Sequence, residues 1–348
     1  MMTGYVYALL KDISENYCGE ELKTLYFGGG TPSLLPIDLL AKLIKPFRFS
    51  DGYELTLELN PDDVEVEYLK KLRDLGVNRL SIGSQTFDDN ILKLIGRRHN
   101  SVQIIDAVNL AKETGFENIS VDLIYGLPTQ TIDGLKKDIE NFLKLDIQHI
   151  STYGLKIEAE SYWGKYYNSG STPSLTLPVG EGMRTIALPD DDMQADMYEG
   201  INEILEGAGF YRYEVSNFAR KGFESKHNLN YWDNNEYYGF GAAAHGYVNG
   251  VRYSNFCTLE KYMDKPYIHE YGKTLTEEEM LEEEIFLGFR KRSGINVERI
   301  KQKFGIDFGV KYKDILYKYS DYIEKTPWGY TLNLKGVLIS NYILAEFL

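Results

Sequence analysis

Three consecutive glycines form the first group of residues in this 348-residue chain that could serve chemistry. Gly28, Gly29 and Gly30 directly follow the apolar residues 25–27, and Thr31 and a proline come next. Successive glycines let a backbone approach a ligand closely and adopt dihedral angles that other residues avoid. A tight turn between a strand and a helix needs fewer of them. We therefore interpret this segment as a ligand-contacting loop rather than as a simple turn.

Charged and amide side chains occur where the next apolar segments end. Glu58 ends the alternating segment 54–59, and Gln85 follows the segment 79–83. Asp122 is a charge inside the apolar segment 118–125. A buried carboxylate is costly unless it is paired, which favours a functional role for Asp122, whereas Glu58 alone could equally be an exposed carboxylate. Arg97 and Arg98 end a helical pattern, where one of them could simply complement the helix dipole. Together these groups suit a ligand with an amino-acid end and a nucleoside end, but their spacing does not name it.

Alternating strand and helix patterns indicate the elements that position these residues. Apolar segments typical of strands lie at residues 25–27, 54–59, 79–83, 118–125 and 149–157, and amphipathic segments typical of helices lie at residues 5–13, 39–47, 64–75, 102–114 and 132–145. Repeated strand–helix units predict an α/β fold with a parallel sheet and outer helices, either open or closed as a (β/α) barrel. Polar residues at the carboxyl ends of such strands face a common site.

The pattern changes twice along the chain, which predicts three parts: residues 1–160, 161–270 and 271–348. Residues 161–192 are rich in Gly, Pro, Ser and Thr without a clear period, so we expect a long loop that crosses the mouth of the site. After the acidic segment 276–284, three helical patterns precede a short strand and a last helix. This order predicts a small winged-helix-like α+β domain at the C-terminal end.

Composition excludes several classes of function. The formal net charge of -14 argues against a nucleic-acid partner, which requires a basic face. No apolar segment approaches the roughly 20 residues that span a bilayer, and the N-terminal residues do not resemble a secretory signal. The two cysteines, Cys18 and Cys257, cannot form a disulfide framework, and we expect both to be fairly buried. These features predict a cytoplasmic protein without stable membrane insertion.

The motifs of the first half resemble a known family. Residues 28–32, 58–61, 81–87 and 121–128 resemble, in order and interval, the S-adenosylmethionine (SAM) binding barrel of the oxygen-independent coproporphyrinogen III oxidase family, a radical SAM family. The resemblance spans residues 5 to about 158 and implies a partial (β/α) barrel. It also implies that the glycine motif contacts the methionine part of SAM. The pocket would be completed by Glu58, Gln85, Arg97, Asp122 and, less securely, Gly154.

The second half is similar to the HemW branch of that family. Residues 227–232 match the HNLxYW pattern, in which the histidine is implicated in heme binding. This resemblance implies that the chain binds heme through His227 and transfers it to proteins such as respiratory enzymes. His245 is a second candidate ligand. The residues alone would favour a histidine that packs among aromatic side chains, and coproporphyrinogen oxidation or an inactive fragment remain the alternative interpretations.

The chain departs from this family at its N-terminal end. Family members carry a first strand and a CxxxCxxC loop, whose three thiolates hold a 4Fe-4S cluster, ahead of the helix that corresponds to residues 5–13. Neither is present in this chain, and Cys18 and Cys257 cannot substitute. We expect no bound metal and no reductive SAM cleavage, the cluster belonging to a complete form. A start at an internal Met is the preferred explanation, and a cluster-free heme carrier is the other. A missing first strand would leave a sheet edge through which the chain could oligomerise.

Overall fold

A seven-stranded sheet organises the chain, which a computed structural model describes over residues 2–168, 174–179 and 182–348. Its strand order is β1-β2-β3-β4-β5-β10-β9, with parallel pairing from β1 to β5 and antiparallel pairing at β10 and β9. The strands in chain order are β1 Glu21–Phe27, β2 Arg48–Leu59, β3 Arg79–Gln85, β4 Asn118–Tyr125, β5 His149–Gly154, β6 Tyr167–Asn168, β7 Ser174–Val179, β8 Gly182–Ala187, β9 Tyr211–Arg212, β10 Asn217–Ala219, β11 His245–Val248, β12 Val251–Asn255, β13 His269–Thr274, β14 Ile295–Asn296, β15 Ile323–Thr326 and β16 Gly329–Leu332.

Helices cover the outer face of this sheet, and further helices pack with small sheets in the rest of the chain. They are α1 Met2–Asn16, α2 Ile37–Ile44, α3 Val66–Asp74, α4 Asp89–Leu94, α5 Ser101–Glu113, α6 Ile132–Lys144, α7 Asp191–Gly207, α8 Lys226–Trp232, α9 Leu259–Asp264, α10 Glu277–Gly288, α11 Val297–Phe304, α12 Phe308–Lys311, α13 Lys313–Lys318, α14 Leu334–Leu338 and α15 Ser340–Leu344. Short 3-10 turns in the described ranges lie at Pro32–Leu34, Pro61–Asp63, Trp163–Tyr166 and Ala345–Phe347. None of the helices within the described ranges has the length and apolar character needed to cross a membrane.

The two faces of the central sheet differ sharply in polarity. Because side chains alternate along a strand, each row of paired residues belongs to one face. The outer face is buried against the helices and carries apolar side chains, including Leu55, Leu57, Leu80, Ile82, Ile119, Val121, Ile150 and Phe218. The inner face carries polar side chains in the same registers, including Thr24, Tyr26, Glu54, Thr56, Glu58, Arg79, Ser81, Ser120, Asp122, His149 and Ser151. The concave side of the sheet is therefore a polar lumen.

The predicted fold class is confirmed. All five predicted strands of the first half occur in the predicted order with helices between them, and the partial (β/α) barrel forms as expected. The strand predicted at residues 118–125 has the same bounds as β4, whereas β2 begins at Arg48, six residues earlier than predicted. In the described part of the chain β1 pairs with β2 alone.

The prediction of a long loop over residues 161–192 is wrong in the part that the structure describes. Strands β6, β7 and β8 form an antiparallel sheet there, and residues 169–173, 180 and 181 lie outside the described residues. Leu175 and Ile186 pair across β7 and β8 and are buried, while Thr176 pairs with Thr185. The alternation of apolar and polar residues was present in the sequence, but the abundant Gly, Pro, Ser and Thr residues concealed it.

A second apolar core lies in the C-terminal part. The three-stranded sheet β14-β16-β15 packs with α10 to α15 around side chains that include Leu281, Ile285, Phe289, Phe308 and Phe347. The helical pattern at residues 312–319 corresponds to α13, and the short helix α12 directly before it was not predicted. The arrangement of helices around a small β-sheet agrees with the expected α+β part.

A buried carboxylate attaches α1 to the central part of the chain. Asp12 is fully buried and accepts hydrogen bonds from the Tyr262 hydroxyl at 2.6 Å, the Asn16 amide at 2.8 Å and the Asn255 amide at 3.4 Å. Burial raises the pKa of this carboxyl, and the bond from Tyr262 opposes that rise. The helix is thereby fixed to α9 and β12.

Replacing this carboxylate should destabilise the fold. In Asp12→Ala, the donors of Tyr262 and Asn255 lose a buried acceptor, so we expect the free energy of unfolding to fall by about 2–4 kcal/mol. Urea unfolding followed by circular dichroism measures the change. Glu15→Ala, at an exposed position of the same helix, is the matched control. Equal stabilities of the two variants would contradict this role for Asp12.

Candidate functional site

The glycine loop leaves open space at the carboxyl end of β1. A Cβ atom on Gly28 would lie 2.5 Å from the Tyr26 ring and 2.8 Å from Glu58 Oε1, so only glycine fits there. At Gly29, φ is +104°, a conformation that favours glycine. A Cβ on Gly29 or Gly30 would meet no atom within 4 Å. The loop therefore combines a tight approach to β2 with free volume beside the backbone. The next residue, Thr31, precedes the first 3-10 turn without a side-chain cap.

Glu58 holds this loop in place. Its Oε1 accepts a hydrogen bond from the Tyr26 hydroxyl at 2.7 Å, and its Oε2 accepts one from the Gly29 backbone N–H at 3.1 Å. Burial raises the pKa of the Glu58 carboxyl, and both hydrogen bonds oppose that rise. The carboxylate thus positions the glycine backbone and remains half-buried beside the open space.

Asp122 lies on the inner face of β4, next to this carboxylate. Ser81 donates a hydrogen bond to its Oδ1 at 3.4 Å, and no Lys or Arg of the described residues forms an ion pair with it. Burial raises the pKa of Asp122 to about 6, and the negative charge of Glu58 adds to the rise. Asp122 can therefore accept or hold a proton close to neutral pH.

Gln85 ends β3 in a strained turn. Its φ is +69°, it is 5% exposed, and the Thr86 N–H donates to the Ser84 carbonyl at 2.9 Å, which closes a γ-turn around Gln85. Such turns are uncommon for residues other than glycine and cost free energy. The buried Asp138 offsets this cost, because it accepts the Thr86 hydroxyl at 2.7 Å and the Phe87 N–H at 2.8 Å.

The two neighbouring arginines behave differently. Arg97 donates to Asn60 Oδ1 at 3.4 Å, and burial lowers its pKa while the charges of Asp122 and Asp62 raise it. The exposed Arg98 forms ion pairs with Asp62 and with the next aspartate at 2.9 and 3.2 Å. Arg97 therefore faces the carboxylates of the site, whereas Arg98 stabilises the turn that follows β2.

Most of the predicted site residues lie along one edge of the sheet. The glycine loop and Glu58 are in direct contact, and charge interactions connect Asp122 with Glu58 and with Arg97. Gly154 ends β5 opposite Tyr125 in the ladder, and a Cβ there would lie 3.1 Å from the Tyr125 hydroxyl. In the described part of the chain, no hydrogen bond joins Gln85 or Gly154 to Glu58.

The segment that contains His227 is helix α8, and its N-terminus enters the lumen. The buried Glu54 carboxylate accepts the Ser225 hydroxyl at 3.2 Å, the Lys226 N–H at 3.0 Å and the His227 N–H at 3.1 Å. Ser225 also caps the helix by accepting the Asn228 N–H at 3.2 Å. A negative charge at a helix N-terminus is favourable, so Glu54 fixes α8 against the inner face of β2.

His227 itself is enclosed by hydroxyl groups and aromatic rings. Nδ1 lies 2.9 Å from Thr24 Oγ1, and Nε2 lies 3.0 Å from the Tyr231 hydroxyl. The imidazole stacks on Tyr26, with ring centroids 4.9 Å apart. Burial, and after it the charge of Arg79, lowers the pKa of His227 to about 4, so the ring is neutral at physiological pH. A metal could bind it only if one hydroxyl moves away.

Comparison with known proteins identifies the family. The radical SAM superfamily model matches residues 8–142, and the HemN C-terminal domain model matches residues 275–319. The chain is 39% identical to the heme chaperone HemW of Lactococcus lactis subsp. lactis (strain IL1403), covering 100% of this chain and 91% of that relative. It is 38% identical to HemW of Bacillus subtilis (strain 168), covering 94% and 86%. The chain belongs to the HemW family of radical SAM proteins.

A solved structure supports the same fold. Coproporphyrinogen III oxidase (HemN) from Escherichia coli superposes with a TM-score of 0.82 at 21% sequence identity, covering 99% of this chain and 83% of that one. At this identity the similarity establishes the fold of the HemW-family chain and not its activity. The predicted membership in the radical SAM superfamily and in its HemW branch is confirmed.

The residues of this HemW-family chain fit SAM better than they fit an iron–sulfur cluster. Open space beside Gly29 and Gly30, bordered by the Glu58 carboxylate, could receive a nucleoside or amino-acid group. Cys18 and Cys257 are both exposed, so the expectation that they are buried is wrong. Both lie in segments that join elements rather than inside them. Within the described ranges, no three His, Cys, Asp or Glu side chains cluster so as to hold a metal ion.

Three residues around the lumen were not recognised from the sequence. Tyr26, Glu54 and Arg79 occupy inner-facing positions of β1, β2 and β3. Glu54 and Arg79 are charges that begin two of the segments predicted as strands, where polar and apolar residues alternate, so the sequence contained a signal for both. By contrast, the contact between Tyr26 and His227 joins residues far apart in the chain and left no local signal. The second candidate ligand, His245, is exposed at the start of β11.

The raised pKa of Asp122 predicts a specific dependence of stability on pH. The pKa is about 6 in the folded chain and 3.8 ordinarily, so folding favours the protonated carboxyl. The contribution of protonated Asp122 to the stability of the fold is complete below about pH 4 and is lost as pH rises through about 6. The loss is on the order of 2 kcal/mol for a partly exposed group. Asp122→Asn should lack this loss.

Urea unfolding of wild type and Asp122→Asn at several pH values between about 4 and 8 measures the difference. The stability of the variant relative to wild type should increase across this interval. Asp74→Asn, at an exposed position of α3, serves as the control and should follow the wild-type curve. A constant difference between Asp122→Asn and wild type at every pH would refute the assignment.

Proposed function

We propose that this HemW-family chain binds heme and transfers it to recipient proteins. The proposal is supported by its similarity, along the whole chain, to relatives named heme chaperone. The observation that carries it is the position of His227, which stacks on Tyr26 while Tyr26 donates to Glu58. A neutral imidazole beside aromatic faces is a suitable axial ligand for heme iron. For this role Nε2 must exchange the Tyr231 hydroxyl, or Nδ1 the Thr24 hydroxyl, for iron.

SAM is the second ligand that we propose, at the carboxyl ends of β1 to β4. Gly28, Gly29, Gly30 and Thr31 would line its amino-acid end, and the pocket would be completed by Glu58, Gln85, Arg97, Asp122 and Gly154. Support comes from the open volume at Gly29 and Gly30 and from the convergence of Glu58, Arg97 and Asp122. Glu58 and Asp122 would accept hydrogen bonds from the ligand, and Asp122 can hold a proton near neutral pH.

Radical chemistry is not part of the proposal for this chain. A 4Fe-4S cluster supplies the electron that cleaves SAM, and two isolated, exposed cysteines do not provide the three thiolates that it requires. Coproporphyrinogen III oxidation, the activity named for the structurally similar protein from Escherichia coli, depends on the same cluster in the family that the sequence resembles. We therefore favour heme transfer, with recipients such as respiratory enzymes, and place it in the cytoplasm.

We also propose a division of the chain into residues 1–160, 161–270 and 271–348. The supporting observations are the separate small sheets β11-β12-β13 and β14-β16-β15 and the distinct apolar core of the C-terminal part. The first part would hold SAM, and the second would supply α8 and His227 to the lumen.

Heme titration tests the proposed ligand. Hemin added to the chain should produce a Soret band that saturates, and His227→Ala should weaken binding by at least about tenfold. Tyr231→Phe separates ligation from packing, because it removes the hydroxyl that occupies Nε2 and keeps the ring. If Nε2 binds iron, this variant should bind hemin more tightly than wild type.

His245→Ala is the matched control and should bind hemin within about twofold of wild type. Urea unfolding of each variant checks that the fold is retained. Unchanged hemin affinity in both His227→Ala and Tyr231→Phe would exclude His227 as the ligand. Loss of binding in His245→Ala alone would move the site to β11.

Gly30→Val tests the SAM pocket. The added side chain meets no protein atom within 4 Å of its Cβ, so stability should change by less than about 0.5 kcal/mol. The same side chain fills the space proposed for the ligand and should weaken SAM binding at least about tenfold in equilibrium dialysis. Gly272→Val, at an equally open position in β13, is the control. Equal SAM binding by both variants would argue against a ligand at the glycine loop.

A further inference from the structure

The buried guanidinium of Arg79 in the lumen has no hydrogen-bond or ion-pair partner among the described residues. Arg79 is 2% exposed on the inner face of β3, and its side chain makes no hydrogen bond and no ion pair within 4.0 Å to the described residues. In the sheet register it lies between Thr56 on β2 and Asn118 on β4. Three buried atoms have no hydrogen-bond partner in the part of the chain that the structure describes: Arg79 Nε, Thr56 Oγ1 and Asn118 Oδ1. Three adjacent strands thus present unsatisfied polar atoms in one row.

The charged groups around Arg79 do not neutralise it. Glu54 is engaged by the N-terminus of α8, and Glu58 by Tyr26 and the glycine loop. His149 and His227 are neutral, because burial and the charge of Arg79 lower the pKa of both. Asp122 lies close enough for Arg79 to lower its pKa, yet the two form no ion pair. A buried, unpaired cation is strongly destabilising.

We propose that Arg79 binds the carboxylate of a ligand that enters the lumen, with the Thr56 hydroxyl donating to the same group. The guanidinium fork matches a carboxylate with two parallel hydrogen bonds. The carboxylates of Glu58 and Asp122 nearby disfavour a dianion such as phosphate. The ligand enters at the carboxyl ends of the strands, where Glu58 and Asp122 are half-buried, since α8 occupies the other end.

This inference rests on the proposed function for the source of the carboxylate. Heme carries two propionates and SAM carries an amino-acid carboxylate, and both are ligands proposed for this chain. The binding of a small carboxylate to Arg79 can nevertheless be measured with neither of them present. The experiment therefore separates the site from the identity of its ligand.

The first measurement uses the propionate ion as the probe. Without added ligand, Arg79→Met should raise the melting temperature by about 2–4 °C, because it removes an unpaired buried charge. Sodium propionate should raise the melting temperature of wild type by about 2 °C or more beyond sodium chloride at equal ionic strength. It should not stabilise Arg79→Met. Arg48→Met, at an exposed arginine of β2, should respond as wild type does.

Arg79→Lys is the second variant, since it keeps the charge and loses the fork; it should show a smaller propionate shift than wild type. Should Arg79→Met fail to fold, the comparison of wild type with Arg79→Lys still decides. Equal propionate shifts in wild type, Arg79→Lys and any folded Arg79→Met overturn the proposal. So does the absence of a shift in wild type.

The second measurement identifies the source. If a heme propionate binds Arg79, Arg79→Met should lower the affinity for hemin at least about tenfold and leave the affinity for hemin dimethyl ester unchanged. If the SAM carboxylate binds Arg79, the variant should bind SAM more weakly than wild type and bind decarboxylated SAM with unchanged affinity. If the wild-type chain binds neither hemin nor SAM, the proposed function is refuted. The shift of its melting temperature with propionate still supports or overturns the carboxylate site.

Discussion

The contact between Glu54 and the N-terminus of α8 determines what the lumen can do. One buried carboxylate accepts the Ser225 hydroxyl and the first two backbone N–H groups of the helix, and thereby brings residues more than 170 positions apart into the same half-barrel. Charge-assisted bonds to a helix N-terminus are strong and directional. Because α8 is fixed at this end, the His227 ring lies against Thr24 and Tyr26, and the open space beside the glycine loop lies at the carboxyl end of β1.

A polar inner face is costly for a folded chain, and the costs are not distributed evenly. Three hydrogen-bond donors offset the desolvation free energy of the Glu54 carboxylate. The donors of Tyr26 and Gly29 offset part of the desolvation free energy of Glu58. Asp122 keeps a raised pKa of about 6, and Arg79 keeps a charge without an ion-pair partner among the described residues. Strain and unsatisfied polar groups tend to persist where a ligand compensates them. The uncompensated groups of this lumen mark the positions where a ligand would contribute most.

The sequence predicted the sheet well because its outer face is apolar and follows a period of two. It predicted the residues at the strand ends because parallel strands place those ends together. It did not predict the position of α8, since that depends on one long-range contact with Glu54 that leaves no periodic signal. The antiparallel sheet β6-β7-β8 was hidden by turn residues. The exposure of Cys18 and Cys257 followed from their location in connecting segments, which composition alone did not reveal.

The two proposed ligand sites share one side chain, and this makes them interdependent. Tyr26 donates its hydroxyl to Glu58, which holds the glycine loop, and presents its ring to His227. His227 can bind iron only if it exchanges a hydroxyl partner, and any shift of its ring changes the surface on which Tyr26 is stacked. Coupling between sites requires such a chain of direct contacts with more than one arrangement. Because the Tyr26 hydroxyl donates to Glu58 Oε1, movement of the tyrosine would leave free one oxygen of the carboxylate whose other oxygen accepts the Gly29 backbone N–H. Occupation of the histidine by heme is therefore expected to alter the glycine loop, without any contact between the two ligands.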